Sequence, residues 1–305
     1  MFRMEISLRS PSFKGIIPAM ITPFAENESI DEEATRRIIE HLIGSGVHGI
    51  MCCGSTGEGA ALSTEEHREF TQLVVECVKH RVPVIAGTGA SGTKSTVNLT
   101  KNAADVGADA ALIVTPYYII PTLEGIIEHY RRIVNEVDLP ILLYNVPQAT
   151  SVNLTPQLIS RIVNDSERIL GLKESSGNVS QIAEILYLVG DEISILTGND
   201  AGLYTDLLLG CPGAIVAIGN VAPNLAVEIY DRLRAGELQK AKQTYYRLLP
   251  VALALDGEPN WAARVKEMVR LLGLPGGLAR RPCVPLQNDE VESLKAALKA
   301  AQLLH

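Results

Sequence analysis

The chain has 305 residues, 47% of them hydrophobic and 20% charged, and a formal net charge of -8 at pH 7. That is the balance of a globular protein, and the acidic excess leaves no basic footprint for nucleic acid or an anionic membrane surface. Five cysteines with no Cys-x-x-Cys pair argue against a disulfide framework, and six histidines without His-Glu-x-x-His or cysteine neighbours argue against a metal site.

In chain order, charges interrupt the apolar residues of the first stretch, so no signal peptide is expected and residues 1–14 read as an N-terminal arm. The longest apolar runs, such as 248–255, fall far short of a membrane span. Cytoplasm is the expected location. Short runs rich in Ile, Val and Ala then alternate with longer helical patterns. The first strand is predicted over 15–21 and the first helix over 31–43, where Ile38, Ile39, Leu42 and Ile43 share one face. Further strands are predicted over 48–53, 83–86, 110–114, 140–144, 168–172, 193–196 and 213–217. The intervening helices fall over 64–78, 93–106, 123–137, 155–163, 179–188, 201–209 and 225–233. Ser63 with Glu66 supplies a capping box, and Thr155 with Pro156 an N-cap followed by proline at the first helical position.

Eight βα units follow one another without a linker, and their strands read as continuous apolar runs buried on both faces. This predicts an α/β fold, a (β/α)8 TIM barrel over 15–235, in preference to a doubly wound sheet, which would reverse its strand order. Residues 236–305 lose the strand signal and read as a C-terminal helical appendage with helices over 238–249, 261–272 and 289–304.

In such barrels chemistry sits at the C-terminal ends of the strands. The sixth strand ends at Lys173, and an amine that loses hydration on entering a barrel disfavours its ammonium form and can attack a carbonyl. The second strand leads into Gly54-Ser55-Thr56-Gly57-Glu58-Gly59, whose clustered N–H groups and hydroxyls suit a carboxylate or phosphate. The fourth strand ends in Thr115-Pro116-Tyr117-Tyr118 and the fifth in Tyr144-Asn145-Val146-Pro147, bringing phenols that can pass protons.

Five motifs in order, Gly-Ser-Thr-Gly-Glu at 54–58, Val-Thr-Pro-Tyr-Tyr at 114–118, Leu-Tyr-Asn-Val-Pro at 143–147, Gly-Leu-Lys-Glu at 171–174 and Gly-Asn-Asp at 198–200, resemble the dihydrodipicolinate synthase and N-acetylneuraminate lyase superfamily. The resemblance implies a class I lyase, needing neither metal nor cofactor, in which Lys173 forms a Schiff base with pyruvate or a related 2-oxo acid. By the same resemblance Tyr144 moves protons, Thr56 relays them, and Tyr118 is lent by a neighbouring subunit. Ser55 and Thr56 hold the 2-oxo acid carboxylate, and the backbone of Ile215 lines the pocket. Implied partners are the 2-oxo acid, an aldehyde and further copies of the chain in a homotetramer built from dimers.

One departure concerns specificity. Synthases of the superfamily carry an arginine two residues after Tyr-Asn-Val-Pro, and here Ala149 stands there with Ser151 at the following glycine position. A lost bidentate contact to the carboxylate of aspartate semialdehyde would cost about 1.5–3 kcal/mol, so the sequence leans toward a sugar-acid type of aldolase or hydro-lyase with the second substrate unresolved, and an authentic 4-hydroxy-tetrahydrodipicolinate synthase is the alternative. A barrel that merely binds a 2-oxo acid is the alternative of another class; it would be favoured by loss of Lys173, Tyr144 or Thr56, and all three are present. A second departure, Thr64, Ser91 and Ser95 in place of the effector-binding His, Asn and Glu of lysine-inhibited synthases, predicts no feedback inhibition by lysine.

Overall fold

Short runs of Ile, Val, Leu and Ala with no polar alternation have no face to offer water, and each is covered on both sides. In the computed structural model, which describes residues 13–256 and 259–304, they form eight parallel strands. These are β1 Gly15–Pro18, β2 Ile50–Cys52, β3 Val84–Gly87, β4 Ala110–Val114, β5 Ile141–Asn145, β6 Ile169–Glu174, β7 Ser194–Thr197 and β8 Gly213–Val216. Hydrogen-bonded neighbours run β1-β8-β7-β6-β5-β4-β3-β2. The remaining seam is drawn together by the Ala19–Met51 bridge and by His48 N–H donating to the Ile16 carbonyl at 2.8 Å. The barrel is thus nearly closed, as the βα alternation predicts.

The helices are α1 Glu32–Gly44, α2 Thr64–Val78, α3 Thr93–Asp105, α4 Leu123–Glu136, α5 Pro147–Thr150, α6 Pro156–Asp165, α7 Val179–Val189, α8 Leu203–Leu209, α9 Pro223–Arg234, α10 Leu238–Leu255, α11 Trp261–Leu271 and α12 Asn288–Ala300. Their starts follow the predicted chemistry. Asp31 accepts from Ala34 N–H at 2.9 Å, and Ser63 and Glu66 exchange side-chain and backbone bonds at 3.2 and 2.9 Å. Thr155 caps α6, with Pro156 in its first turn.

Two apolar layers result. Ile17, Met51, Ile85, Leu112, Leu142, Leu196 and Ile215 fill the barrel interior, and Tyr144 joins them at its mouth. Ile16, Ile50, Ile141, Leu143, Leu172 and Ile195 face the helices instead. Each such side chain contributes about 1.5–3 kcal/mol by leaving water. Helices α10, α11 and α12 pack on one another, and α10 lies on α8 and α9.

Some boundaries differ from expectation. The first strand ends at Pro18 instead of residue 21. The helix predicted to stop at residue 249 runs through Pro250 to Leu255, because the helices packed around it outweigh one lost backbone bond. The turn α5 was not anticipated, although Pro147 suits its first position. Strand β6 extends one residue past Lys173, to Glu174. Of the expected N-terminal arm, residues 1–12 lie outside the described residues.

Candidate active site

Lys173 and Tyr144 meet because of an irregularity in the sheet. Strands β5 and β6 begin in register at Ile141 opposite Ile169, but Leu142 then pairs with Gly171, leaving Leu170 as an extra residue. Without that bulge Tyr144 would face Leu172. With it, Tyr144 faces Lys173 and Asn145 faces Glu174.

Lys173 is 7% exposed, and its Nζ lies 4.4 Å from the centre of the Tyr144 ring. It makes no ion pair or hydrogen bond among the described residues. Its stem occupies space that only glycine leaves: a Cβ on Gly198 would lie 2.6 Å from Lys173 Cε and 2.0 Å from Ser175 Oγ. Asp200, two residues on, accepts from Ile218 N–H at 2.7 Å. Burial pushes its carboxyl up to about 6, against the opposing pull of that backbone bond and of the Lys173 charge.

On the other face of β6 the chain ties the same two strands together. The buried Glu174 carboxylate accepts from Ser176 N–H at 2.7 Å, Asn145 Nδ2 at 2.8 Å and Gln181 Nε2 at 3.2 Å. Asn145 Nδ2 also donates to Asn153 Oδ1 at 2.9 Å, and Asn145 Oδ1 accepts from Leu154 N–H at 2.9 Å. Asn145 and Glu174, the residues that follow Tyr144 and Lys173, therefore have fixed partners outside the barrel, which holds Tyr144 and Lys173 in place inside it.

A cleft of about 360 Å³ opens beside Tyr144. Met51, Leu112, Val146, Ala149, Pro282 and Cys283 form much of its wall, and Ser55 reaches it from the loop after β2. Two charged residues also line it, and both are already paired. Glu58 accepts from Lys266 Nζ at 2.5 Å and from Arg280 N–H at 2.8 Å. The Arg280 guanidinium holds Glu66 at 2.5 and 2.8 Å, which draws the Glu66 carboxyl down to about 2.

The expected site residues are only partly brought together within one chain. Lys173, Tyr144 and Ile215 share the barrel interior, and Ser55 opens onto the cleft that Tyr144 lines. Thr56 is buried and accepts from Trp261 Nε1 at 3.2 Å. The Tyr144 hydroxyl has no hydrogen-bond partner among the described residues. Tyr118 stands apart, 95% exposed with φ of 71°, a strained backbone for a side chain of its size. Sequence reasoning missed Trp261 and Lys266, whose partners lie 205 and 208 residues away.

Comparison with known proteins extends over nearly the whole chain. The sequence profile of the Dihydrodipicolinate synthetase family matches residues 12–301. A 4-hydroxy-tetrahydrodipicolinate synthase from Methanoculleus marisnigri is 42% identical, covering 94% of this chain and 98% of the relative. Another from Methanothrix thermoacetophila is 40% identical, covering 94% and 96%. Among solved structures, the chloride-inhibited dihydrodipicolinate synthase from Acinetobacter baumannii complexed with pyruvate superposes with a TM-score of 0.92 at 34% identity, covering 96% of this chain and all of that one. YagE, a prophage protein of E. coli K12 in complex with pyruvate, does so with a TM-score of 0.92 at 31% identity, covering 95% and 99%.

Proposed function

The chain belongs to the dihydrodipicolinate synthetase family and is a class I lyase, and we propose that its reaction runs through a Schiff base between Lys173 and pyruvate. The Lys173 amine adds to the C2 ketone, water leaves, and the iminium draws electrons from C3 as a C3 proton departs. The enamine so formed attacks an aldehyde carbon, or is released from one in the reverse direction. Tyr144, at the ring-to-amine distance of 4.4 Å, supplies and removes the protons, and Ser55 and Thr56 receive the 2-oxo acid carboxylate. The observation that carries this reading is a buried lysine with no carboxylate in ion-pair contact among the described residues, paired in register with a tyrosine at the mouth of a barrel.

For the second substrate, the names of the relatives favour 4-hydroxy-tetrahydrodipicolinate synthesis from aspartate semialdehyde, the alternative in the sequence reading, over the sugar-acid type of aldolase or hydro-lyase toward which Ala149 leans. That is the activity proposed first. A second reading, an aldehyde without a carboxylate, rests on one observation: Ala149 stands in an apolar stretch of the cleft wall whose charged neighbours are already paired.

Incubation with pyruvate and borohydride, followed by mass spectrometry, should place an adduct on Lys173; its absence would sink the Schiff-base reading. A panel of aldehydes then separates the two substrate readings. If aspartate semialdehyde is used poorly, A149R should improve its kcat/KM about tenfold or more by restoring a charge-assisted contact. If it is used well, A149R should change little.

A homotetramer built from dimers fits two separate exposed apolar faces. One is the loop carrying Tyr118, Ile119 and Ile120 with Leu123 at the start of α4; the other comprises Tyr187 and Leu188 on α7 with Leu208 and Leu209 on α8. On this reading Tyr118 completes a neighbour's site.

A further inference from the structure

The loop after β2 is tied down on several sides. Thr22 Oγ1 donates to the Gly57 carbonyl at 2.6 Å, and the Glu58 carboxylate is taken by Lys266 and by the Arg280 backbone. Thr56, between these anchors, meets the first residue of α11. The indole of Trp261 donates to Thr56 Oγ1 at 3.2 Å across 205 residues of sequence. The residue before Trp261 is itself anchored. Asn260 sits in the left-handed region at φ of 61°, and its amide exchanges bonds with the Val284 backbone, donating at 2.6 Å and accepting at 3.2 Å.

An indole N–H can only donate, whereas a threonine hydroxyl has one proton and two lone pairs. With one lone pair occupied by Trp261, the Thr56 proton turns away from the indole, and among the described residues it reaches no acceptor. We propose that Trp261 is a positioning residue that makes Thr56 a committed donor to the carboxylate of the 2-oxo acid. This rests on the Schiff-base reading and adds to it the origin of the hydroxyl's direction, which lies in the helices that follow the barrel strands. The interaction is made with bound substrate before any bond changes, so it belongs to binding more than to turnover.

W261F keeps an aromatic ring and removes the donor. The expected result is a rise of roughly fivefold to tenfold in KM for pyruvate, the loss of one hydrogen bond's orienting effect, with kcat within about twofold. In a T56V background, which has no hydroxyl to orient, adding W261F should raise KM no further. An unchanged KM in W261F, a fall in kcat alone, or the same added rise in the T56V background would overturn the proposal. Trp261 is the single tryptophan of the chain, so its emission gives a second reading in the unaltered protein. Pyruvate should change that emission, saturating near KM, and a flat titration under conditions that trap the Lys173 adduct also overturns the proposal. If no adduct forms in the unaltered protein, the Schiff-base reading has failed first, and separately.

Discussion

Lys173 and Lys266 are both buried, at 7% and 1% exposure, and each lies over an aromatic ring, Tyr144 at 4.4 Å and Phe24 at 4.3 Å. They differ in what else they touch. Lys266 is bound to the Glu58 carboxylate at 2.5 Å and to the Leu278 carbonyl at 2.6 Å. Burial pushes its amine below the usual lysine range, and Glu58 pulls it back. Lys173 has no carboxylate within ion-pair distance among the described residues, although its charge is felt by Asp200. Lys266 joins the loop after β2 to α11, whereas Lys173 makes no such tie among the described residues. Burial alone therefore does not distinguish the two lysines; the carboxylate bound to one of them does, and on the proposed function the unpaired one is the nucleophile.

The largest test of that contrast is K173A. Activity should fall to background, on the order of 10⁴-fold or more, and borohydride trapping should vanish, with little change in unfolding free energy. If K173A loses several kcal/mol by chemical denaturation, the contrast breaks. K266M should do the reverse. It strands Glu58 in the interior, so about 3–5 kcal/mol of stability should be lost, and K266M/E58Q should recover part of it. Next come the two rings. Y144F should slow turnover about 10²-fold while leaving trapping possible, because the ring remains and only the proton-carrying hydroxyl is lost. F24L should lower stability by about 1 kcal/mol or more and leave trapping intact.

The smallest effect is one of pH. Glu66 holds Arg280 in the same cluster as Lys266, and its carboxyl is drawn from 4.5 to about 2 in the folded chain. A folded value below the unfolded one gives stability that is complete above about 4.5 and lost as pH falls through about 2. Because Glu66 is partly exposed, the expected fall in Tm over that range is a few degrees, and E66Q should flatten it. A fall of the same size in E66Q would assign the acid sensitivity elsewhere.

What could be read from the residues is what depends on neighbours in sequence. The βα alternation needs only local periodicity, and Asp31, Ser63 with Glu66, and Thr155 cap their helices through bonds spanning three residues. The placement of Lys173, Tyr144 and Ser55 at one end of the barrel was legible because strand ends in a parallel barrel point to one mouth. The pairing of Glu58 with Lys266 and of Thr56 with Trp261 was not, since each joins groups more than 200 residues apart and leaves no local pattern. The helix through Pro250 was missed for the opposite reason: the local signal is a breaker, and tertiary packing overrides it.

The extra residue at Leu170 bears on more than register. Along a strand, side chains alternate between lumen and helix layer, so which environment a residue meets is a matter of parity. Were Leu170 paired with Leu142 instead of left out, the identity of every proposed catalytic residue would be unchanged, yet Leu172 and Lys173 would sit on exchanged sides relative to β5, sending the amine toward the helices and a leucine into the mouth. The register of β6 against β5 therefore decides which side chain reaches the mouth as firmly as substitutions do. A lysine at the end of β6 reaches the barrel lumen only when the bulge before it sets the register, so the pairing partner of the lysine is as informative as the lysine itself.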